Sequence, residues 1–173
     1  SGLAAAYSLR KVVPTYSGDA IEIQSGSVSQ SIGFDSFGDL DVAAIKAFAG
    51  SGDAFVKTWY DQSGNGNNST AQSSTQQPKI VSAGTVLTVE GKPAMLFDGS
   101  DDQLNMAGLN NQSVLDTYFV VSTSDTKYLY PNVNTGSPYG VVAELGSTNG
   151  AIYYGGSLYA NGTLFTGGNR TNA

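Results

Sequence analysis

AFVKTWYDQSGNGNNST, residues 54–70, sets a strand directly beside a loop. Phe55, Lys57 and Trp59 fall on one side of an alternating run, and Val56, Thr58 and Tyr60 on the other. A period of two is the mark of an extended strand with two unlike faces. Ten residues follow, from Asp61 to Thr70, that are almost all small, polar and turn-forming. The oxygen-bearing side chains of Asp61, Ser63, Asn65 and Asn67 stand at alternate positions, like the first half of a calcium loop. A hard cation wants six to eight oxygens and strong anionic ligands. Asp61 alone carries charge in this half, and the twelfth position is Gln72 where a calcium loop has a bidentate Glu. The turn chemistry favours a loop that holds itself, with Asp61 and Asn65 accepting from amides two residues on and Gly64 and Gly66 at positive φ. No cofactor is expected, and Ca²⁺ at Asp61, Ser63, Asn65 and Asp98 is the alternative.

Working outward, short strands recur. Residues 4–12, 20–24 and 27–34 lean towards period two, with Ile21 and Ile23, then Val28 and Ile32, facing inward. Ser25-Gly26 marks a hairpin turn between the last two. DLDVAAIKAFAG, residues 39–50, is the one good helix: Asp39 or Asp41 caps it, Val42, Ile45 and Ala49 form its apolar stripe with Phe48 beside, and Gly50 stops it. Further strands are expected at 79–81, 85–90 and 93–99, with a tight turn at Glu90-Gly91-Lys92. Another is expected at 116–123, whose continuous apolar centre suits a central strand, and YGVVAEL, AIYY and SLYA follow as hairpin-like runs. Many short strands with a single helix mean a β-sandwich or barrel. No internal repeat or linker is visible, so residues 1–173 are expected to form one domain.

The composition agrees. Charged residues make up 13% of the chain, Gly is abundant at 22, and the net charge is −6 with no basic run. Binding to nucleic acid or to anionic membrane needs clustered Lys and Arg, so neither is an expected partner. No apolar stretch is long enough for a membrane-spanning helix. With no Cys and no His, disulfides, thiolate chemistry, Ser-His-Asp triads and the usual zinc sites are excluded. The Ser-, Thr-, Asn- and Tyr-rich, Lys-poor composition points to an extracellular, cell-surface or virion setting.

AYSLRKVVPTYSGDAIEIQ, SIGFDSFGDLDVAAIKAFAGSGDAFVKTWYDQSGNGNNSTA and GKPAMLFDGSDDQL carry a resemblance. Over about residues 4–122 the chain resembles concanavalin A/laminin-G-like jelly-roll modules of phage and bacterial surface proteins, relatives of the arabinofuranosidase B-type catalytic domain. YDQSGNGN is the most specific part. The resemblance implies an all-β, two-sheet jelly roll with one short helix, and carbohydrate as a common ligand class. It also implies a pair of catalytic carboxylates in the enzymes, as in retaining glycosidases, the first matching Glu144 in VVAEL. The His-Met before that Glu, the C-terminal segment bearing the second carboxylate and the paired cysteines of the fungal enzymes have no counterpart here, so no catalytic role is expected. Such jelly rolls continue past the position of Ala173, so the sandwich is expected to be short of strands. An unpaired edge exposes rows of backbone donors and acceptors, which strand addition from another subunit would cover. Residues 1–12 are the candidate exchange strand, and head-to-tail repetition of the contact would build a helical filament of like subunits.

Other candidates complete the reading. Asp98, Asp101 and Asp102 crowd FDGSDDQL, where mutual repulsion would raise one pKa; turn chemistry makes them an Asx-turn corner. Trp59, Tyr60, Tyr128, Tyr130, Tyr153, Tyr154 and Tyr159 are candidates for subunit contact or sugar stacking, with core or edge packing the plain alternative for the tyrosines. Sequons stand at Asn67, Asn68, Asn111, Asn161 and Asn169. The expected function is a non-enzymatic structural subunit of an extracellular fibre or virion appendage. A module that binds polysaccharide is the first alternative, and an arabinofuranosidase-like hydrolase the second.

Overall fold

The structure, a computed structural model, describes residues 3–106 throughout and the backbone of six strands between 127 and 171. Among the described residues the fold is all-β: antiparallel sheets with one α-helix. It divides into two compact units, residues 1–109 and 110–173.

In the first unit, β1 (Ile21–Ser25) and β2 (Val28–Ile32) form a hairpin across Gly26 and Ser27, with Gly26 at φ 59°. β3 (Ala54–Trp59) lies along the other side of β1. The far side of β3 is shared: its first residues pair with β5 (Lys79–Ser82) and its last with β4 (Ser69–Thr70). β6 (Thr85–Val86) extends β5, and β9 (Asn105–Met106) extends β4. β7 (Thr88–Val89) and β8 (Lys92–Pro93) make a separate hairpin whose two turn residues, Glu90 and Gly91, both have positive φ. That is the two-residue turn whose twist matches antiparallel strands.

In β1 and β3 the core follows from the alternation: Ile21 and Ile23 of β1 and Ala54 and Val56 of β3 are fully buried. In β5 the adjacent residues Ile80 and Val81 are both fully buried. α1 (Val42–Ala49) lays Ile45 and Ala49 into the same cluster, with Val42 and Phe48 partly buried. Asp41 caps the helix by accepting from the Ala44 amide at 2.9 Å. Gly50, at φ 56°, ends it by donating its N–H to Lys46.

Several expectations are corrected. Val28 is 60% exposed: β2 is the outermost strand of its sheet path, and only its Ile32 end, opposite Ile21, reaches the core. The run 85–90 is two strands, because the chain changes partner at Leu87, from β5 to β8. Of residues 93–99, Pro93 belongs to β8 and Leu96 makes a lone bridge to Lys79. Residues 4–12 are not a strand in a sheet; they run as an irregular arm with one bridge, Arg10 to Asp39.

The second unit holds a four-stranded antiparallel sheet ordered β10 (Lys127–Leu129), β11 (Val141–Leu145), β12 (Ala151–Tyr154), β15 (Arg170–Thr171). It also holds a hairpin of β13 (Ser157–Ala160) and β14 (Thr163–Thr166). The strand expected at 116–123 lies outside the described residues.

Ile23 is fully buried opposite Val56 at the centre of the sheet. Truncation to Ala should therefore cost about 2–5 kcal/mol, read as a lowered urea midpoint with an unchanged m-value.

Candidate functional site

The loop after β3 is built around two buried polar side chains, Asp61 and Gln62, at 3% and 1% exposure. Chain direction sets this up. Tyr60 still donates its amide to Ala20 beside β1, and the next residues turn inward instead of into solvent. Buried polar groups of this kind must find partners, and these find two sets.

One set is the loop itself. Asp61 Oδ1 accepts from the Ser63 amide at 2.8 Å; Oδ2 accepts from the Ser63 hydroxyl at 2.7 Å and the Asn67 amide at 3.1 Å. The Asp61 amide donates to Asn68 Oδ1 at 3.0 Å. Gly64 and Gly66, at φ 85° and 75°, supply the left-handed backbone this path requires. The self-supporting loop expected from turn chemistry is present at Asp61. Asn65 departs from it: its side chain does not accept from residue 67.

The second set is the N-terminal arm. Asp61 Oδ1 also accepts from the Ala6 amide at 2.8 Å, and the Gln62 amide donates to the Ala6 carbonyl at 2.7 Å. Gln62 Nε2 donates to the carbonyls of Ser8 and Arg10 at 2.9 and 2.8 Å, while its Oε1 accepts from the Val12 amide at 2.8 Å. Asn65 Nδ2 donates to the carbonyls of Leu3 and Ala4, and Asn67 Nδ2 to Ala4. The Tyr7 hydroxyl donates to the Asn67 carbonyl, and its ring packs on Trp59 with centroids 5.7 Å apart. Apart from the Tyr7 contacts, the loop grips the arm by its main chain.

Electrostatics support the grip. Burial pushes the Asp61 carboxyl up, but hydrogen bonds from the Ser63 hydroxyl and the amides of Ser63, Ala6 and Asn67 together outweigh it and hold the group below the usual carboxylate value. Burial, with the Asp61 charge second, pushes the Tyr7 phenol up to about 12, so it remains a donor at neutral pH.

The remaining candidates are distributed differently. Trp59 and Tyr60 are half-buried; Trp59 rests on Tyr7, and the Tyr60 hydroxyl meets Ser31 Oγ at 3.1 Å. The amides of the sequon residues Asn67 and Asn68 are both engaged, by Ala4 and Asp61. Asp98, Asp101 and Asp102 bring carboxylate oxygens within 4.8 Å of one another. Asp98 accepts from the Ser100 amide at 2.7 Å and donates its own amide to Asp102 at 2.8 Å, the Asx-turn corner expected there. Burial, then the charges of Asp98 and Asp101, raises the Asp102 pKa. Exposed Asp98 is thus tied to its own corner, whereas Asp61 is buried under its loop. Glu144 stands in β11 opposite Tyr128 of β10, and Tyr153 and Tyr154 of β12 stand opposite Val142 and Val141. Tyr159 of β13 stands opposite Leu164. Tyr130, Asn111, Asn161 and Asn169 lie outside the described residues. A groove of about 260 Å³ beside α1 is lined by Val42, Lys46, Val86 and Pro93 among others, with no aromatic ring among its lining residues.

Gln62 is the residue the sequence does not single out. Its amide offers a donor and an acceptor like those of a peptide group, but nothing in a polar run separates it from an exposed Gln. No family model, curated protein or solved structure matches this chain.

Two outcomes follow from the cradle. Gln62→Ala removes three side-chain bonds to the arm and should cost about 1–3 kcal/mol, measured by urea unfolding. The depressed Asp61 pKa means the folded state holds its proton less tightly than the unfolded chain. Its stabilisation is present above about pH 4, the unfolded carboxylate value, and is lost as pH falls through the lower folded value. Asp61→Asn should unfold more easily at pH 7 and lack this part of the acid dependence, because its NH₂ would face donors.

Proposed function

We propose that this chain is a non-enzymatic structural subunit of an extracellular fibre or virion appendage, a jelly-roll module that assembles through β-strand addition. The observation that carries the reading is the edge at β2. Among the described residues β2 pairs on one side only, with β1, and Val28, Ser29, Gln30 and Ser31 are exposed. The two-residue turn makes Ser25 and Val28 a hydrogen-bonded pair, and alternation then aims the backbone groups of Ser29 and Ser31 away from β1. An outward row of donors and acceptors is a template for another strand. Gln and Ser here supply no charge or proline to block that pairing.

Sugar binding receives less support. Trp59 and Tyr60, the aromatic candidates whose side chains are described, are engaged within the chain by Tyr7 and Ser31. Hydrolysis would need a second carboxylate set against Glu144 at the spacing glycosidases use, and the sequence before Glu144 lacks the His-Met that precedes that Glu in the enzymes it resembles.

Ser29→Pro deletes one outward N–H while sparing the ladder to β1, since proline is tolerated on an edge strand. Negative-stain microscopy and light scattering of the full chain should show concentration-dependent filaments for the wild type and none for Ser29→Pro, with similar unfolding midpoints. A wild-type chain that stays monomeric at high concentration, or a proline variant that assembles equally well, contradicts the proposal.

A further inference from the structure

The bonds that fix the arm are almost all made to its backbone. Leu3, Ala4, Ser8 and Arg10 are held by their carbonyls, Val12 by its amide and Ala6 by both. The arm in turn gives little to the core. None of residues 3–12 is buried, and Leu9 is the one that packs partly against the central cluster. Its other backbone ties, at Arg10 and Lys11, reach only Asp39 and Gly38. The connection to β1, residues 13–19, is exposed or half-exposed throughout and contains Pro14 and Gly18. The arm is therefore a peripheral element on an exposed connection, seated in a cradle built by residues outside it.

The cradle cannot stand empty at no cost. Without the arm, the buried Asp61 carboxylate loses the Ala6 amide, and Gln62 loses all three of its side-chain partners. An arm that leaves exchanges these bonds for water and forfeits their net contribution, which a second arm with the same main-chain pattern would restore. An identical arm has that pattern by definition, and exchange of an identical element between copies forms no contact that the monomer lacks.

We infer that residues 3–12 are an exchangeable arm, and that the cradle of Asp61, Gln62, Asn65 and Asn67 accepts the same arm from a second copy of this chain. This deepens the assembly reading above by naming donor and receptor, but it rests on the cradle and not on the β2 edge. The hinge decides the balance. When it is long enough the arm folds back onto its own cradle, and high protein concentration or a shorter hinge favours the neighbour's.

The test uses the full chain. Equal amounts of ¹⁴N- and ¹⁵N-labelled protein are mixed, both carrying a photoreactive benzoyl-phenylalanine in place of Leu3, which is exposed and whose carbonyl bonds to Asn65. After irradiation, mass spectrometry scores whether each arm–loop peptide pair carries one isotope or two. The expected result is a mixed-isotope fraction that rises with concentration, and that rises several-fold when Ser17 and Gly18 are deleted from the hinge. Same-isotope pairs alone at every concentration, in the parent and the hinge-shortened chain alike, overturn the inference. Adding Ser29→Pro separates the two proposals. Mixed pairs that persist while filaments vanish support both arm exchange and the edge contact. Wild-type filaments without mixed pairs leave the edge standing and remove the exchange.

Discussion

Two side chains, Asp61 and Gln62, do for the backbone of residues 3–12 what a neighbouring strand would otherwise do. A strand satisfies its partner with one amide and one carbonyl at every second residue. Here a carboxylate accepts the Ala6 amide, the Gln62 main chain returns a bond to the Ala6 carbonyl, and the Gln62 side chain serves Ser8, Arg10 and Val12 together. Ala6, Ser8, Arg10 and Val12 are thereby paired without the arm entering a sheet, and the buried Asp61 and Gln62 side chains gain the partners that buried polar groups require.

The loop can do this because the rest of its chemistry is internal. Positive φ at Gly64 and Gly66, with the Ser63 and Asn67 bonds to Asp61, fixes the path. Packing of Trp59 on Tyr7 ties the strand end to the arm it serves. Behind it, the isoleucines of β1 and β5 and the stripe of α1 form a core that contains no residue of the loop or arm. The apolar core and the grip on the arm are therefore built from different residues, and Asp61 and Gln62 add their hydrogen bonds to what the core supplies.

The strands that face the core were readable because burial and alternation agree in them: Ile21 with Ile23, Ala54 with Val56, and the helix with its Asp41 cap and Gly50 stop. The sequence misleads where pairing, not burial, decides. Val28 alternates correctly yet sits on a strand that pairs on one side only among the described residues, and the run 85–90 hides a change of partner at Leu87. The connection from β13 to β14 is Asn161-Gly162, a strong hairpin signal, which the sequence reading treats only as a sequon. At the site, turn chemistry gives the self-bonding of Asp61 but not its hold on Ala6, since contacts across 55 residues leave no local pattern. The Tyr and Asn candidates carry no signal that would sort them, because Tyr and Asn are common along the whole chain.

An arm held by its main chain belongs with the proposed assembly, in which subunits recognise backbone and not particular side chains. Everything rests on whether the loop satisfies the arm in solution, and native-state amide hydrogen exchange tests that most directly. If it does, the Ala6 and Val12 amides, although outside any sheet, will exchange far more slowly than in a free peptide and in step with the Ser63 and Asn67 amides that share Asp61. Exchange of Ala6 and Val12 at free-peptide rates, while Ile21 and Ile23 stay protected, would contradict the account.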